Sequence, residues 1–223
     1  MHGKLNSLMK ELIHKILNKF GFDIVRIGKF DDNLAKHLIT VLRSRNIDCI
    51  FDVGANSGQY GLFLREIGYK GHIISFEPVS AVFDLLKKNC GHDDKWTCRN
   101  YALGDKNEKK ILNVYKSTVF SSFLTVNEHY RKIWRSLENV TPETVDVYRL
   151  EDVWDELTRD LGCKNYMLKL DAQGFDKFVF DGARDRLKSI SVLQSELALI
   201  PVYDGMMQAY TVLNEYHKFD FLI

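Results

Sequence analysis

Apolar residues along most of the chain fall into short runs of strand length that alternate with stretches of helical spacing. The runs cover Cys49–Val53, His72–Phe76, Trp96–Tyr101, Tyr166–Leu170 and Ile190–Ser195. The stretches of helical spacing cover Ser57–Ile67, Ser80–Cys90, Glu151–Leu161, Phe175–Leu187 and Gln208–Lys218. Repeated strand, helix, strand units imply a mostly parallel sheet with helices on both faces, because right-handed crossovers allow little else. The pattern therefore predicts a doubly wound α/β fold.

The beginning of the chain has only helical spacing. An amphipathic helix is predicted over 5–20 and a second helix over 33–45. Lysines on the polar face of the first helix indicate a solvated face above a stripe that packs on the core, with a helix on a membrane surface as the alternative. We predict a helical extension over 1–45, packed on a main domain over 46–223.

Four segments of the main domain have weaker patterns. Residues 110–115 are predicted as a short strand, 144–149 alternate like an edge strand, and 219–223 begin a further strand. Residues 117–141 are polar and rich in aromatic side chains, without a clean period. Ligands in doubly wound sheets bind at the carboxyl ends of the strands, and we expect 117–141 to cover that edge as an insert.

Composition excludes several classes of protein. The 223 residues include 31 basic and 30 acidic side chains, so no strong field favours nucleic acid as a partner. No apolar run approaches the roughly 20 residues that cross a bilayer, and the start lacks the order of a secretory signal, so a cytoplasmic protein is expected. The cysteines have no metal-ligand spacing and are expected as reduced structural thiols: Cys49, Cys90, Cys98 and Cys163.

A glycine-rich turn follows the first strand, with Gly54, Gly58 and Gly61 spaced G-x-x-x-G-x-x-G before a helix. Such a turn lets a ligand approach the backbone and offers free N–H donors, although tight packing of strand on helix requires glycines too. Glu77 ends the second strand nineteen residues after Gly58, where an acidic residue accepts hydrogen bonds from ribose hydroxyls. The G-x-G-x-x-G spacing that admits a pyrophosphate is absent, so an adenosine compound without phosphate is favoured.

These motifs belong to a series of ordered blocks in which the chain, from about residue 20 to its end, resembles the FkbM-type methyltransferases. The blocks are Phe51–Tyr60, Ser75–Pro78, Ala102–Asp105, Ser121–Ser122, Lys169–Gly174 and Glu196–Leu197. The resemblance implies a class I, Rossmann-like methyltransferase fold, S-adenosylmethionine as methyl donor with S-adenosylhomocysteine as product, and O-methylation of a sugar, glycan or other natural product.

Two features depart from that family. Its common Asp-Val-Glu-Gly block appears here as Asp171-Ala172-Gln173-Gly174, so no acidic role carries over to Gln173. The chain also stops where the family continues into a last strand, so the last strand is expected to be missing. An unpaired sheet edge would favour a homodimer.

The predicted donor site combines the glycine-rich turn, the end of the second strand, the block after the third strand and the first residue after Tyr166–Leu170. Small apolar residues after the third strand suit the adenine ring, and Asp105 could bind its exocyclic amine. The predicted donor-site residues are Asp52, Gly54, Ala55, Asn56, Gly58, Tyr60, Glu77, Pro78, Ala102, Leu103, Asp105 and Asp171.

Methyl transfer requires an in-line approach and removal of the hydroxyl proton. Asp171 is the first candidate for the base, and Glu196, expected beside it at the end of the next strand, is the second. His129 is the third, against the plainer interpretation of a surface histidine. Lys169 points to the same face as Asp171, and its buried charge should pair with Asp171, Glu196 or a bound group.

The insert is expected to bind the acceptor, since aromatic faces stack on sugar rings. The predicted acceptor residues are Ser121, Ser122, Tyr130, Trp134 and Gln173. Nothing in the sequence requires a metal, although a catechol-type enzyme with Mg²⁺ would place acidic ligands at the same edge. Two other functions stay open: an NAD-linked oxidoreductase, and a non-catalytic module that binds a cofactor or partner.

Overall fold

The computed structural model describes residues 32–134, 137 and 139–222. The chain divides into two compact units, Met1–Val41 and Leu42–Ile223. The helix predicted over 5–20 lies outside the described residues, and the packing of an N-terminal extension on the main domain stays a prediction. Among the described residues, no helix combines the length and apolarity that a membrane span requires.

The described elements follow the predicted alternation of strands and helices. In chain order they are α1 (Asp32–Ser44), β1 (Cys49–Val53), α2 (Gln59–Glu66), β2 (His72–Phe76), α3 (Ser80–Cys90), β3 (Trp96–Arg99), β4 (Ala102–Leu103), β5 (Glu108–Tyr115), a 3-10 turn (Thr118–Phe120), α4 (Glu128–Ile133), β6 (Val140–Tyr148), α5 (Leu150–Thr158), β7 (Tyr166–Leu170), α6 (Asp176–Asp181), a 3-10 helix (Arg184–Ser189), β8 (Ile190–Ser195) and α7 (Ala209–His217).

The central sheet has five parallel strands in the order β3-β2-β1-β7-β8. Every residue of β1 and β7 is buried, which explains why these strands are continuous apolar runs rather than alternating patterns. One side of the sheet packs against α5, α6 and α7 through a cluster that includes Phe51, Leu168, Trp154, Phe180 and Tyr216. The doubly wound α/β fold is confirmed.

The second sheet corrects one prediction. Residues 144–149 were expected as an edge strand, but β6 lies in the middle of a three-stranded sheet of order β4-β6-β5. It pairs antiparallel with β5 over its whole length and parallel with β4 at its end. Its alternation arises because one face is exposed to solvent, not because one edge is free.

Two further predictions are wrong in detail. The helix predicted over 175–187 is divided: α6 ends at Asp181 and a 3-10 helix begins at Arg184. Gly182 between them lies so close to Gly104 that a Cβ would be 1.8 Å from the Gly104 carbonyl oxygen. Residues 219–222 form a turn and an irregular end rather than a strand. The rings of Phe219 and Phe221 pack on Phe180, so this apolar spacing serves a core contact.

The order of the strands defines where a ligand would bind. From β1 the chain builds the sheet outward through β2 and β3, and it returns to build the other half through β7 and β8. The two halves meet between β1 and β7, and the carboxyl ends of those strands form the crevice at this switch point. The backbone is tight there, because a Cβ on Gly54, which has a φ of 73°, would lie 2.0 Å from the carbonyl oxygen of Asp171.

We predict that Gly54→Ala destabilises the protein more than Gly68→Ala. Both glycines have positive φ, but a Cβ on Gly68 would meet no atom within 4 Å. Gly68→Ala should therefore cost only about 1–2 kcal/mol of left-handed strain, whereas Gly54→Ala adds a clash between two strands. Urea unfolding of both variants measures the difference, and equal midpoints would contradict the close approach of β1 and β7.

Candidate functional site

A cleft opens at the carboxyl ends of the central strands. It encloses about 680 Å³ including its open mouth. The residues after β1, β2 and β7 contribute one wall, and the insert after β5 contributes another. The lining consists of Val53, Gly54, Asn56, Phe76, Glu77, Pro78, Val79, Ala102, Leu103, Leu112, Thr118, Val119, Ser121, Ser122, Phe123, Asp171, Ala172 and Gln173.

The turn between β1 and α2 uses its backbone donors within the chain. The N–H groups of Gly54 and Ala55 both donate to the Phe76 carbonyl, at 3.1 and 3.0 Å. The N–H of Asn56 donates to Glu77 Oε2 at 2.9 Å, and the N–H of Ser57 donates to the Asn56 side chain at 2.8 Å. The N–H of Gly58 donates to the Ala55 carbonyl at 2.8 Å. The expectation of free N–H donors is therefore wrong for these five residues. A diphosphate would find no unused backbone donor among them.

The glycines of this turn serve packing inside the protein. Gly54 faces the Asp171 carbonyl, and a Cβ on Gly58 would lie 3.0 Å from Leu86 and 3.1 Å from Trp96. Close packing within the protein therefore accounts for both glycines, against the chain after β7 for Gly54 and against α3 and β3 for Gly58, although Gly54 also lines the cleft. The predicted donor residues of this block that lie outside the lining are Asp52, Ala55, Gly58 and Tyr60.

Glu77 ends β2 and lines the cleft with its carboxylate held in place. Oε2 accepts the N–H of Asn56 at 2.9 Å and Oε1 accepts the N–H of Val79 at 2.8 Å. Burial raises the pKa of Glu77 to about 7, against the opposing effect of these two donors. Each oxygen keeps a second lone pair, so the carboxylate can still accept hydrogen bonds from two ligand hydroxyls.

Apolar side chains line the cleft beyond Glu77. Val79 before α3, Ala102 and Leu103 on β4, Leu112 on β5 and Phe123 in the insert are the apolar side chains of this part. This composition suits an aromatic ring such as adenine. Ala102, Leu103 and Pro78 were predicted to contact the donor, and all three line the cleft.

Asp105 lies outside the lining of the cleft, contrary to its predicted contact with adenine. Its turn packs against the end of α6, where a Cβ on Gly182 would lie 3.4 Å from the Asp105 Cα and 1.8 Å from the Gly104 carbonyl oxygen. Residues 104–107 therefore form a bend that packs on the protein, away from the cleft.

A row of polar side chains crosses the central sheet behind the cleft. Ser75, Asp52 and Lys169 occupy the same register position on β2, β1 and β7. Trp96 Nε1 donates to Ser75 Oγ at 3.0 Å, and Ser75 donates to Asp52 Oδ2 at 3.0 Å. Asp52 is completely buried, and its second oxygen lies 3.1 Å from Lys169 Nζ. Asp52 thus balances the charge of Lys169 inside the sheet and does not line the cleft in which a methyl donor was expected to bind.

Lys169 lies between two carboxylates. Its Nζ is 3.1 Å from Asp52 Oδ1 and 3.3 Å from Asp171 Oδ2, and the ring centroid of Tyr60 lies 5.2 Å away. Burial alone would lower the pKa of Lys169, but the two carboxylates raise it above its ordinary value. Lys169 is therefore a fixed cation that orients Asp171, and it does not itself line the cleft.

Asp171 reaches the cleft with both oxygens in contact with other side chains. Oδ2 faces Lys169, and Oδ1 accepts a hydrogen bond of 2.8 Å from Gln173 Nε2. The amide of Gln173 is fixed in turn, because its Oε1 accepts the hydroxyl of Tyr203 at 3.1 Å. Gln173 lines the cleft and has a left-handed backbone, with a φ of 51°.

Glu196 follows β8 and lies close enough to Asp171 to interact with it electrostatically. Burial and the neighbouring charge of Asp171 raise the pKa of Glu196. The side chain lines a smaller depression next to Gly174 and Met206 rather than the main cleft. Glu196 is therefore beside Asp171, as predicted from the parallel sheet, but its side chain lines the smaller depression and not the cleft.

The insert contributes three hydroxyl side chains to the cleft. Thr118 Oγ1 accepts a hydrogen bond of 3.1 Å from the Asn56 side chain, which joins the insert to the β1 turn. Ser121 lines the cleft as predicted. Ser122 also lines it, but its hydroxyl donates to the Gln173 carbonyl at 2.7 Å and is committed to holding that turn.

Other predicted residues of the insert lie outside the lining of the cleft. Tyr130 and Trp134 pack on each other, and Trp134 packs on Phe120, with ring centroids 5.1 and 5.5 Å apart. His129 is exposed on α4 with its ring against Tyr130. Tyr130 and Phe120 pack against a small core that includes Leu137 and Tyr203, whereas Trp134 is exposed beside them.

Three residues of the site had no predicted role. Asp176 accepts the N–H groups of Ala172 and Gly174, both at 3.1 Å, and so shapes the turn that carries Asp171. An acidic residue at a helix start after a glycine is a local signal that could have identified it. Thr118 and Tyr203 act across 62 and 30 residues of sequence, and no local pattern marks such contacts.

The electrostatics of the cleft favour a cationic ligand. Glu77 and Asp171 line it, whereas Lys and Arg are absent from the described residues of the lining. Within the described ranges, no group of side chains has the arrangement of a metal site.

Comparison with known proteins agrees with this geometry. The methyltransferase FkbM domain matches residues 52–222, which is well over half of the chain and includes every residue of the cleft. No curated protein matches the chain. The chain therefore belongs to the FkbM methyltransferase domain family.

Proposed function

We propose that the protein transfers a methyl group from S-adenosylmethionine to a hydroxyl oxygen of a sugar, glycan or other natural product. One observation carries this proposal: the cleft offers a carboxylate at the end of β2 and an apolar slot beside it, without basic side chains or free donors at residues 54–58. That arrangement matches an adenosine that carries a positive charge and no phosphate.

The described residues fit the proposed donor part by part. The ribose hydroxyls would donate to the free lone pairs of Glu77, and the adenine ring would lie among Val79, Ala102 and Leu103. The sulfonium and the ammonium group would lie toward Asp171, whose charge favours both. When bound, this donor would supply an electrophilic methyl group, and transfer of that group to an oxygen would leave the sulfur as a neutral thioether.

Asp171 is the proposed base, as it is the acidic side chain of the lining that follows β7. The Asp171 carboxylate would accept the proton of an acceptor hydroxyl as that hydroxyl is methylated. Lys169 acts through Asp171 as a positioning residue, since it contacts the carboxylate but not the cleft. Glu196, beside Asp171 at the smaller depression, would orient the acceptor or receive the proton next.

An NAD-linked oxidoreductase is disfavoured by the same turn. Its cofactor carries a diphosphate that relies on free N–H groups and on close approach to glycines. Here the N–H groups of 54–58 are used within the chain, and Gly54 and Gly58 face protein atoms.

Glu77→Gln should weaken binding of S-adenosylhomocysteine by about 1–3 kcal/mol, because a charged hydrogen-bond acceptor is lost. Titration calorimetry measures this change. Asp105→Asn is the matched control, since Asp105 lies outside the cleft and its substitution should leave the affinity unchanged. An unchanged affinity for Glu77→Gln would contradict the donor site.

The affinity for S-adenosylhomocysteine should rise with pH through about 7. The pKa of Glu77 is raised to about 7, and the ribose hydroxyls need the ionised form, so protonation at lower pH competes with binding. Calorimetry at pH 6, 7 and 8 should give the weakest binding at pH 6, and Glu77→Gln should remove the trend. Equal affinities across this range for the unchanged protein would refute the role of Glu77.

Asp171→Asn should slow methyl transfer by about 10²–10⁴-fold, the usual contribution of a general base. The variant should still bind S-adenosylhomocysteine, because Glu77 and the apolar slot are intact. Formation of S-adenosylhomocysteine from the donor, measured with a panel of glycoside acceptors, gives the rate. A normal rate in this variant would assign the base elsewhere.

A further inference from the structure

One hydroxyl proton in the site has two acceptors. The hydroxyl of Tyr203 lies 3.0 Å from the carbonyl oxygen of Phe120 and 3.1 Å from Gln173 Oε1. A phenol has a single hydrogen to donate, but its oxygen can also accept. Burial raises the pKa of Tyr203, so this hydrogen stays on the oxygen at neutral pH. The Tyr203 hydroxyl can therefore donate a full hydrogen bond to only one of these two acceptors at a time.

The amide of Gln173 has the complementary property. It turns Nε2 toward Asp171 and Oε1 toward Tyr203, the orientation that an ionised carboxylate requires because it can only accept. The backbone of Gln173 is held separately, since its carbonyl accepts the Ser122 hydroxyl at 2.7 Å. The terminal amide can thus turn over without moving the loop.

We infer that Gln173 and Tyr203 form a hydrogen-bond relay that adapts to the protonation of Asp171 and connects it to the insert at Phe120. In the ionised state the amide donates to Asp171 and accepts from Tyr203. In the protonated state the amide is turned over: Asp171 donates to Oε1, Nε2 donates to the Tyr203 oxygen, and Tyr203 donates to the Phe120 carbonyl. Asp171, the Gln173 amide and the Tyr203 hydroxyl have partners in both states, whereas the Phe120 carbonyl receives the full hydrogen bond of Tyr203 in the protonated state.

This inference rests on the proposed function, in which Asp171 receives the proton of the acceptor. The relay lets Asp171 accept that proton without leaving a buried amide unpaired. While Asp171 holds the proton, the relay also strengthens the hydrogen bond from the Tyr203 hydroxyl to the Phe120 carbonyl, which belongs to the insert. Tyr203 and Gln173 are therefore positioning residues for the base.

The charges around Asp171 determine which oxygen takes part. Lys169 on β7 faces Oδ2, so the oxygen free to carry a proton toward Gln173 is Oδ1. Glu196 after β8 and Asp176 on α6 are the other charged groups that interact with Asp171. Asp176 is committed to two backbone N–H groups. Glu196 is within hydrogen-bonding reach of the Asp171 carboxylate, and this contact helps to raise the pKa of Glu196.

Asp171→Asn provides the test, because Lys169 requires an oxygen at its side. The asparagine must turn its oxygen to Lys169 and its NH₂ to Gln173, which fixes the relay in the state of a protonated Asp171. We predict that at neutral pH the amide ¹⁵N resonance of Ser121, which shares its peptide group with the Phe120 carbonyl, shifts relative to the unchanged protein. Contacts between the Gln173 NH₂ hydrogens and the Tyr203 ring should appear in the NOE spectrum.

Tyr203→Phe must remove the Ser121 response to Asp171→Asn, since only the hydroxyl is lost and the ring still packs in its cluster. Tyr166→Phe is the matched control: Tyr166 is equally buried, and its hydroxyl donates at 2.9 Å to the Cys163 carbonyl at the opposite end of β7. The response should persist in that background. A Ser121 resonance that ignores Asp171→Asn, or that responds without the Tyr203 hydroxyl, would overturn the relay.

The unchanged protein provides a second measurement that needs no substitution at Asp171. On acidification, the Ser121 amide and the Gln173 side-chain amide should shift together over one pH range, and Tyr203→Phe should abolish the Ser121 part. Separate titrations would refute the relay. These spectra require neither donor nor acceptor, whereas calorimetry with S-adenosylhomocysteine tests the proposed function, so the two can fail independently.

Discussion

The ammonium of Lys169 between the carboxylates of Asp52 and Asp171 is the interaction on which the site depends. Asp52 is completely buried in the middle strand of the sheet, where an unpaired charge would be prohibitively costly. Removing one partner of such a group leaves the other charges uncompensated, at a cost of about 3–5 kcal/mol. The same cation brings Asp171 to the point where the two halves of the sheet meet. The polar row therefore links the integrity of the sheet to the position of the proposed base.

The cleft in front of this row follows from the topology. Strands β1, β2 and β7 end together, so the residues that follow them must converge. Gly54 permits the approach of β1 and β7, and Glu77 returns to hold the β1 turn through the N–H of Asn56. This hydrogen bond uses a donor that a phosphate would otherwise bind. The same turn therefore offers no free backbone donor to a diphosphate, in agreement with the proposed adenosine ligand.

Much of the fold could be predicted because its central strands are buried on both faces. The bounds of β1, β2, β7 and β8 agree with the apolar runs, and the third run is two residues longer than β3. The edge assignment of β6 was wrong because alternation reports an exposed face and contains no information about neighbours along the sheet. Gly182, where the helix is divided, lies against Gly104, a contact that no local window contains.

The candidate site could be predicted in part. Glu77 and Asp171 were identified because each follows a strand, and strand ends share one edge. Asp52 and Tyr60 lie outside the lining of the cleft. Alternation along the strand could not exclude Asp52, because it lies two residues before Gly54 and so on the same face. Tyr203 escaped prediction, since its partners lie far away in sequence.

A crystal structure of the protein with S-adenosylhomocysteine tests the central claim most directly. The account predicts both ribose hydroxyls within hydrogen-bond distance of Glu77, adenine against Ala102 and Leu103, and the sulfur facing Asp171. A ligand bound away from the end of β2, or a ribose that leaves Glu77 without a contact, would contradict it.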